Sequence, residues 1–167
     1  MSQPVDERSK VYEILHGFST AMFVTIASDG RPGARPMHLA RIEEEAAKIC
    51  FFTGQSGTLM EELQKDGAVL LTFQNDNSAY AAVRGHAWIE HDKDRVKELW
   101  KAPFKVWFPG GPEDPEVALV AVQLMDAEYW DNRGMNKLDY LFEAAKAYVK
   151  GQKPEVPGVD QHAKTAL

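Results

Sequence analysis

Two segments of the chain carry residue types that could hold an anion. The first, Phe51-Phe52-Thr53-Gly54-Gln55-Ser56-Gly57-Thr58, leaves an apolar run and enters a helical pattern through small hydroxyl and glycine residues. Such a turn presents backbone N–H groups and hydroxyls at a helix N-terminus, where unsatisfied donors and the helix dipole favour a phosphate. The same residues also read as plain capping, because Thr58 followed by Glu61 is a capping box and Ser56 is a competent N-cap. The second segment is Arg35-Pro36-Met37. An arginine near the start of a strand can grip phosphate bidentately with a permanent charge, or can simply be solvated. Pro36 limits ladder pairing at that point, as expected of an edge or bulged position beside a ligand.

Other chemistries find little support. There is no GxSxG elbow, Walker loop, HExxH pair or GxGxxG after a strand. The five histidines, His16, His38, His86, His91 and His162, are scattered without paired ligand spacing, which argues against a metal centre. A formal net charge of -6 over 167 residues, with no local Lys/Arg-rich footprint, argues against nucleic acid as a partner. No apolar run approaches the roughly 20 residues of a membrane span, and the polar start lacks a secretory pattern, so a cytoplasmic location is expected. The one cysteine, Cys50, sits inside Ile49-Cys50-Phe51-Phe52 and reads as a buried, inert thiol.

The elements that must position these groups follow from periodicity and turn residues. Val11, Ile14, Leu15 and Phe18 recur at helical spacing over Asp6 to Phe18. Ala21 to Ala27 reads as a strand, Asp29-Gly30 as a hairpin turn, and Gly33 to Ile42 as its antiparallel partner. Glu43-Glu44-Glu45 turns the chain into a third, central strand at Lys48 to Thr53. A short helix over Thr58 to Lys65 follows, then strands at Ala68 to Gln74 and Tyr80 to His91, a helix opened by Asp92, and a long strand from Val117 to Trp130. Leu138, Leu141, Phe142, Ala145 and Val149 mark a C-terminal helix. Residues 151–167 lack periodicity and are expected to be a mobile tail behind one domain spanning residues 1–150. The expected class is mainly β, α+β: a six-stranded antiparallel barrel with flanking helices and a C-terminal helix.

The order of these motifs carries a resemblance. The hairpin at Asp29-Gly30, then Arg35-Pro36-Met37, Phe51-Phe52-Thr53 with Ser56, Met60-Glu61-Glu62-Leu63, Gly85 and Glu128-Tyr129-Trp130-Asp131 resemble the general stress protein 26 group. That group belongs to the pyridoxamine 5'-phosphate oxidase-like FMN-binding split barrels. The resemblance implies a homodimer with flavin sites at the subunit interface, holding FMN and admitting FAD. It implies that Arg35, Thr53, Ser56 and Thr58 fall at phosphate positions, that Pro36, Met37 and Gln74 fall along the isoalloxazine ring, and that Phe52 and Gly57 are further cofactor-binding positions. Trp107 and Trp130 become candidates for the wall supplied by the partner chain, although each also reads as a packing aromatic. Relatives commonly carry lysine where Thr58 stands, so one cationic phosphate contact is missing here. Two functions are open: a flavin-dependent oxidoreductase, in which the cofactor does the chemistry, or a module that binds flavin or another planar ligand such as haem without turnover.

Overall fold

The computed structural model describes residues 6–75, 79–131 and 162–167. Helix α1 (Glu7–Leu15) is opened by Asp6, whose carboxylate accepts the Arg8 N–H and the Ser9 hydroxyl. Strands β1 (Thr20–Ile26) and β2 (Pro32–Glu43) form the expected hairpin, with Thr20 opposite His38 and Phe23 opposite Arg35. At its tip Ala27 N donates to the Arg31 carbonyl, and only Gly30, at φ 81°, takes the left-handed conformation. The loop is therefore a three-residue turn closed by glycine.

β3 (Lys48–Gly54), α2 (Thr58–Lys65), β4 (Ala68–Gln74), β5 (Ala79–Glu90), α3 (Lys93–Leu99) and β6 (Val117–Asp131) complete the predicted series. All pairings are antiparallel, in the order β3-β2-β1-β4-β5-β6, and β3 also pairs with β6, closing a six-stranded barrel. The inward side chains Phe23, Phe51, Leu71, Val83 and Val120 form one core with Val11, Ile14 and Leu15 of α1 and Leu59 and Leu63 of α2. A second core lies outside the barrel, where Cys50, Phe52, Leu119 and Ala121 pack under Val96 and Leu99 of α3 and under Phe104. β3 and the first half of β6 are thus buried on both faces, which is why they read as continuous apolar runs rather than alternating ones.

The end of the chain departs from expectation. Residues 162–166 do not belong to a structureless tail: they form β7 (His162–Ala166), antiparallel to β6 from Asp126 to Trp130. β3 leaves that edge of β6 at Gln123, and β7 takes it up beyond a register shift where Gly85 faces Leu124 and Arg84 faces Asp126. His-Ala-Lys-Thr-Ala carries little intrinsic strand preference, so the partner edge decides its conformation. The helix expected over Leu138 to Val149, and residues 151–161, lie outside the described residues.

Candidate functional site

The barrel is split where β2 and β3 part. Their register runs from Glu43 opposite Lys48 to Leu39 opposite Phe51 and stops there, with an irregularity between Leu39 and Arg41. Beyond it, Arg35 to His38 pair only with β1, while Phe52 to Gly54 pair only with β6. The gap is a cavity of about 320 Å³ lined by Thr20, Arg35, Pro36, Met37, His38, Phe52, Thr53, Gly54, Phe104, Trp107 and Phe108. A β2 edge without a strand neighbour leaves main-chain donors and acceptors facing that gap.

Its walls are aromatic. The Phe52 ring lies 4.6 Å from Phe104 and 5.5 Å from Trp100, and Trp100 lies 6.4 Å from Phe108. Phe104 belongs to a 3-10 helix over Ala102–Val106 that closes the cleft from outside. Trp107 follows it and stands 66% exposed at the rim. Cleft and wall together suit a planar, largely apolar ligand.

Polar groups gather at one end. Arg35 points to the inner side of β2, where its Nη2 donates to Glu62 Oε2 at 2.6 Å and to Thr25 Oγ1 at 3.2 Å. The Thr25 hydroxyl donates to the same Glu62 oxygen at 2.5 Å. Burial raises the Glu62 carboxyl, but the hydrogen bonds from Thr25 and Arg35 and the guanidinium charge outweigh it and hold the group below its usual value. Arg35 is consequently fixed rather than solvated. At the other end, His38 Nδ1 lies 3.1 Å from Thr20 Oγ1 and 3.3 Å from the Ser19 carbonyl.

The Thr53–Thr58 turn leads from β3 into α2. Its N-cap is Gly57, with no side-chain cap bond, so neither the Thr58–Glu61 capping box nor a Ser56 cap forms. The first N–H groups of α2 keep the unpaired character of a helix start. The turn is tied to the loop before β6: Gln55 N donates to the Glu116 carbonyl at 2.9 Å, Gln55 Nε2 to the Pro115 carbonyl at 2.7 Å, and Ser56 N to Glu116 Oε2 at 3.2 Å.

Of the residues singled out from the sequence, Arg35, Pro36, Met37, Phe52, Thr53 and Trp107 meet in one cleft. Ser56, Gly57 and Thr58 lie just past its end, at the start of α2. Gln74 and Trp130 do not line it: Gln74 pairs with Tyr80 and Tyr80 with Trp130, and the Trp130 ring stacks on His162 at 5.0 Å. Sequence reasoning did not select Thr20, His38, Phe104, Phe108, Thr25, Glu62 or Glu116. The hairpin turn would have given the Thr20–His38 pairing by counting back from Gly30. Glu62 shares the buried helical face of Leu59 and Leu63, where a carboxylate requires a cation. No local signal connects Glu116 to the turn 60 residues earlier.

Comparisons with known proteins agree with this geometry. Protein bli-3 of Neurospora crassa is 30% identical over 105 residues, covering 58% of this chain and 50% of bli-3, so the match spans half the length of that relative. A general stress FMN/FAD binding protein from Xanthomonas citri superposes with a TM-score of 0.67 at 26% identity, covering 77% of this chain and 91% of its own. A Jannaschia sp. chain assigned to general stress protein 26 superposes with a TM-score of 0.74 at 20% identity, over 98% of this chain and all of its own. The model of the "Pyridoxamine 5'-phosphate oxidase like" family matches residues 6–155, and with the split barrel in place the chain belongs to that family.

Proposed function

We propose that the cleft binds a flavin, FMN or FAD, with the isoalloxazine ring between Pro36-Met37 and the aromatic wall and the phosphate toward Arg35 and the Thr53–Thr58 turn. The observation that carries this reading is the parting of β2 and β3, which opens an aromatic cleft whose polar end holds a fixed arginine beside a helix start. Continuing the β2–β3 register past Leu39 would set Thr53 opposite Met37 and bring the turn level with Arg35. The Xanthomonas citri relative, an FMN/FAD binding protein by name, supports the same ligand class.

In this reading Arg35, Thr53, Ser56, Gly57 and Thr58 contact phosphate through a guanidinium, hydroxyls and backbone N–H groups. Pro36, Met37 and Phe52 flank the ring and exclude water from it. A bound flavin supplies one- or two-electron transfer, so no residue of the chain is required as nucleophile. Gln74 and Trp130 lie away from their own cleft and would meet a flavin only from a second copy of the chain. A homodimer is supported by the outward face of β1, where Met22 and Ile26 are 41% and 39% exposed.

The purified protein should show flavin absorption bands or quench the fluorescence of added FMN, and absence of both would reject the reading. Anaerobic addition of NADH or NADPH then asks about turnover: bleaching supports an oxidoreductase, and its absence supports a carrier or sensor.

A further inference from the structure

The Thr53–Thr58 turn has little to hold it from within. Gly54 and Gly57 flank Gln55 and Ser56, and no side chain caps α2. Its restraints come from Pro115 and Glu116: Gln55 N and Nε2 donate to the Glu116 and Pro115 carbonyls, and Ser56 N donates to the Glu116 carboxylate. Those two residues sit at the centre of a second turn, in which Val117 N donates to the Asp114 carbonyl at 3.0 Å and Glu116 N to Asp114 Oδ1 at 2.9 Å. The ammonium of Lys93, the first residue of α3, spans that turn from end to end. It donates to the Asp114 carbonyl at 3.1 Å and to the Val117 carbonyl at 3.0 Å. These are charge-assisted bonds from a partly buried donor, the stronger kind. The other tie from α3 to this stretch, Lys97 to Glu113 at 2.7 Å, joins two exposed side chains and is of the weaker kind.

Resting on the flavin reading above, we propose that Lys93 is a positioning residue for the ligand's phosphate and thereby supports a preference for phosphorylated flavin over riboflavin. It acts through three linked contacts rather than on the ligand. Lys93 fixes the carbonyls of Asp114 and Val117, the residues between them fix Gln55 and Ser56, and the N–H groups that begin α2 follow directly. A turn already held in one conformation loses less freedom when an anion arrives, so its grip is tighter. The ring, lodged between Pro36-Met37 and the aromatic wall, does not depend on that chain of contacts. The effect of Lys93 therefore falls on the phosphate alone.

Calorimetric titration of the full chain with FMN and with riboflavin, beside amide hydrogen exchange of the protein without ligand, compares the wild type with Lys93→Met and Lys97→Met. Methionine keeps an unbranched apolar stem and removes the donors. Lys93→Met should weaken FMN about three- to tenfold, the scale of an effect relayed through packed contacts, and change riboflavin less than about twofold. Exchange should quicken at the Gln55 and Ser56 amides and stay as it is in β1. Lys97→Met should leave every reading at its wild-type value. If Lys93→Met does not fold, Lys93→Gln keeps one donating amide and should show the same pattern at smaller size. Riboflavin falling as far as FMN, unchanged exchange at Gln55 and Ser56, or the same losses in Lys97→Met would overturn the assignment. Unchanged FMN affinity in Lys93→Met, with FMN bound by the wild type, overturns it while leaving the flavin reading standing. Failure of both flavins to bind the wild type removes both.

Discussion

The Arg35 guanidinium and the Glu62 carboxylate meet at 2.6 Å across the mouth of the barrel, joining the hairpin strand β2 to the helix that follows β3. Thr25 bonds both partners from β1, so one small network ties three separate elements around the polar end of the cleft. Arg35→Ala should therefore weaken flavin binding at least about tenfold, the loss of roughly 1.5 kcal/mol or more in a charged hydrogen bond, measured by FMN fluorescence quenching. Arg35→Lys restores the charge without the planar fork, and should recover thermal stability more fully than affinity. Unchanged affinity in Arg35→Ala would show that the phosphate lies elsewhere.

Acid should reveal the same network. Although burial opposes it, the bonds from Thr25 and Arg35 hold the Glu62 carboxyl below its usual 4.5. A carboxyl held lower in the folded chain than in the unfolded one contributes stability above the unfolded value and loses it as pH falls through the folded one. Denaturation curves between pH 7 and pH 3 should show stability dropping below about pH 4.5, with a shallower drop in Glu62→Gln. Identical slopes in the two proteins would count against the network as a source of stability.

Cys50 is fully buried between the barrel and α3, and desolvation pushes its thiol up to about 11. The native protein should resist a thiol-specific disulfide reagent at pH 8 and react stoichiometrically once unfolded. Rapid labelling of the native state would contradict the outer core as drawn.

The two aromatic positions of the wall should separate stability from binding. Phe104→Ala removes a ring packed 4.6 Å from Phe52 and should cost about 3 kcal/mol of stability. Trp107→Ala alters a rim residue, so stability should change by no more than about 0.5 kcal/mol while flavin affinity falls. A Trp107→Ala variant with full affinity would remove that residue from the site.

At the β5–β6 irregularity, a Cβ on Gly85 would come within 2.5 Å of the Gln123 carbonyl and 2.7 Å of Val122 Cγ1. Gly85→Ala should destabilise the barrel by about 1–3 kcal/mol, read as a lower denaturation midpoint. An unchanged midpoint would mean that the strands can part there at no cost.

Much of this architecture is local and was therefore readable along the chain. Alternation and turn residues place β1 through β6 within one or two residues of where they stand, and Asp92 announces α3 as its cap, whereas α1, expected to run to Phe18, ends at Leu15. The double-sided burial of β3 is visible in Ile49-Cys50-Phe51-Phe52, because only a strand covered on both faces can afford an unbroken apolar run. Arg35 and the Thr53–Thr58 turn are conspicuous for the same reason: their residue types carry the chemistry wherever they are placed. The sequence by itself could not say what those groups touch. The choice between a capped and an uncapped α2, the engagement of Arg35 by Glu62, the approach of Glu116 to Ser56, and the pairing of β7 with the free edge of β6 all depend on contacts between residues distant along the chain. Such contacts exist only once the barrel closes, so tertiary structure alone decides how much of the arginine's charge is left for a ligand.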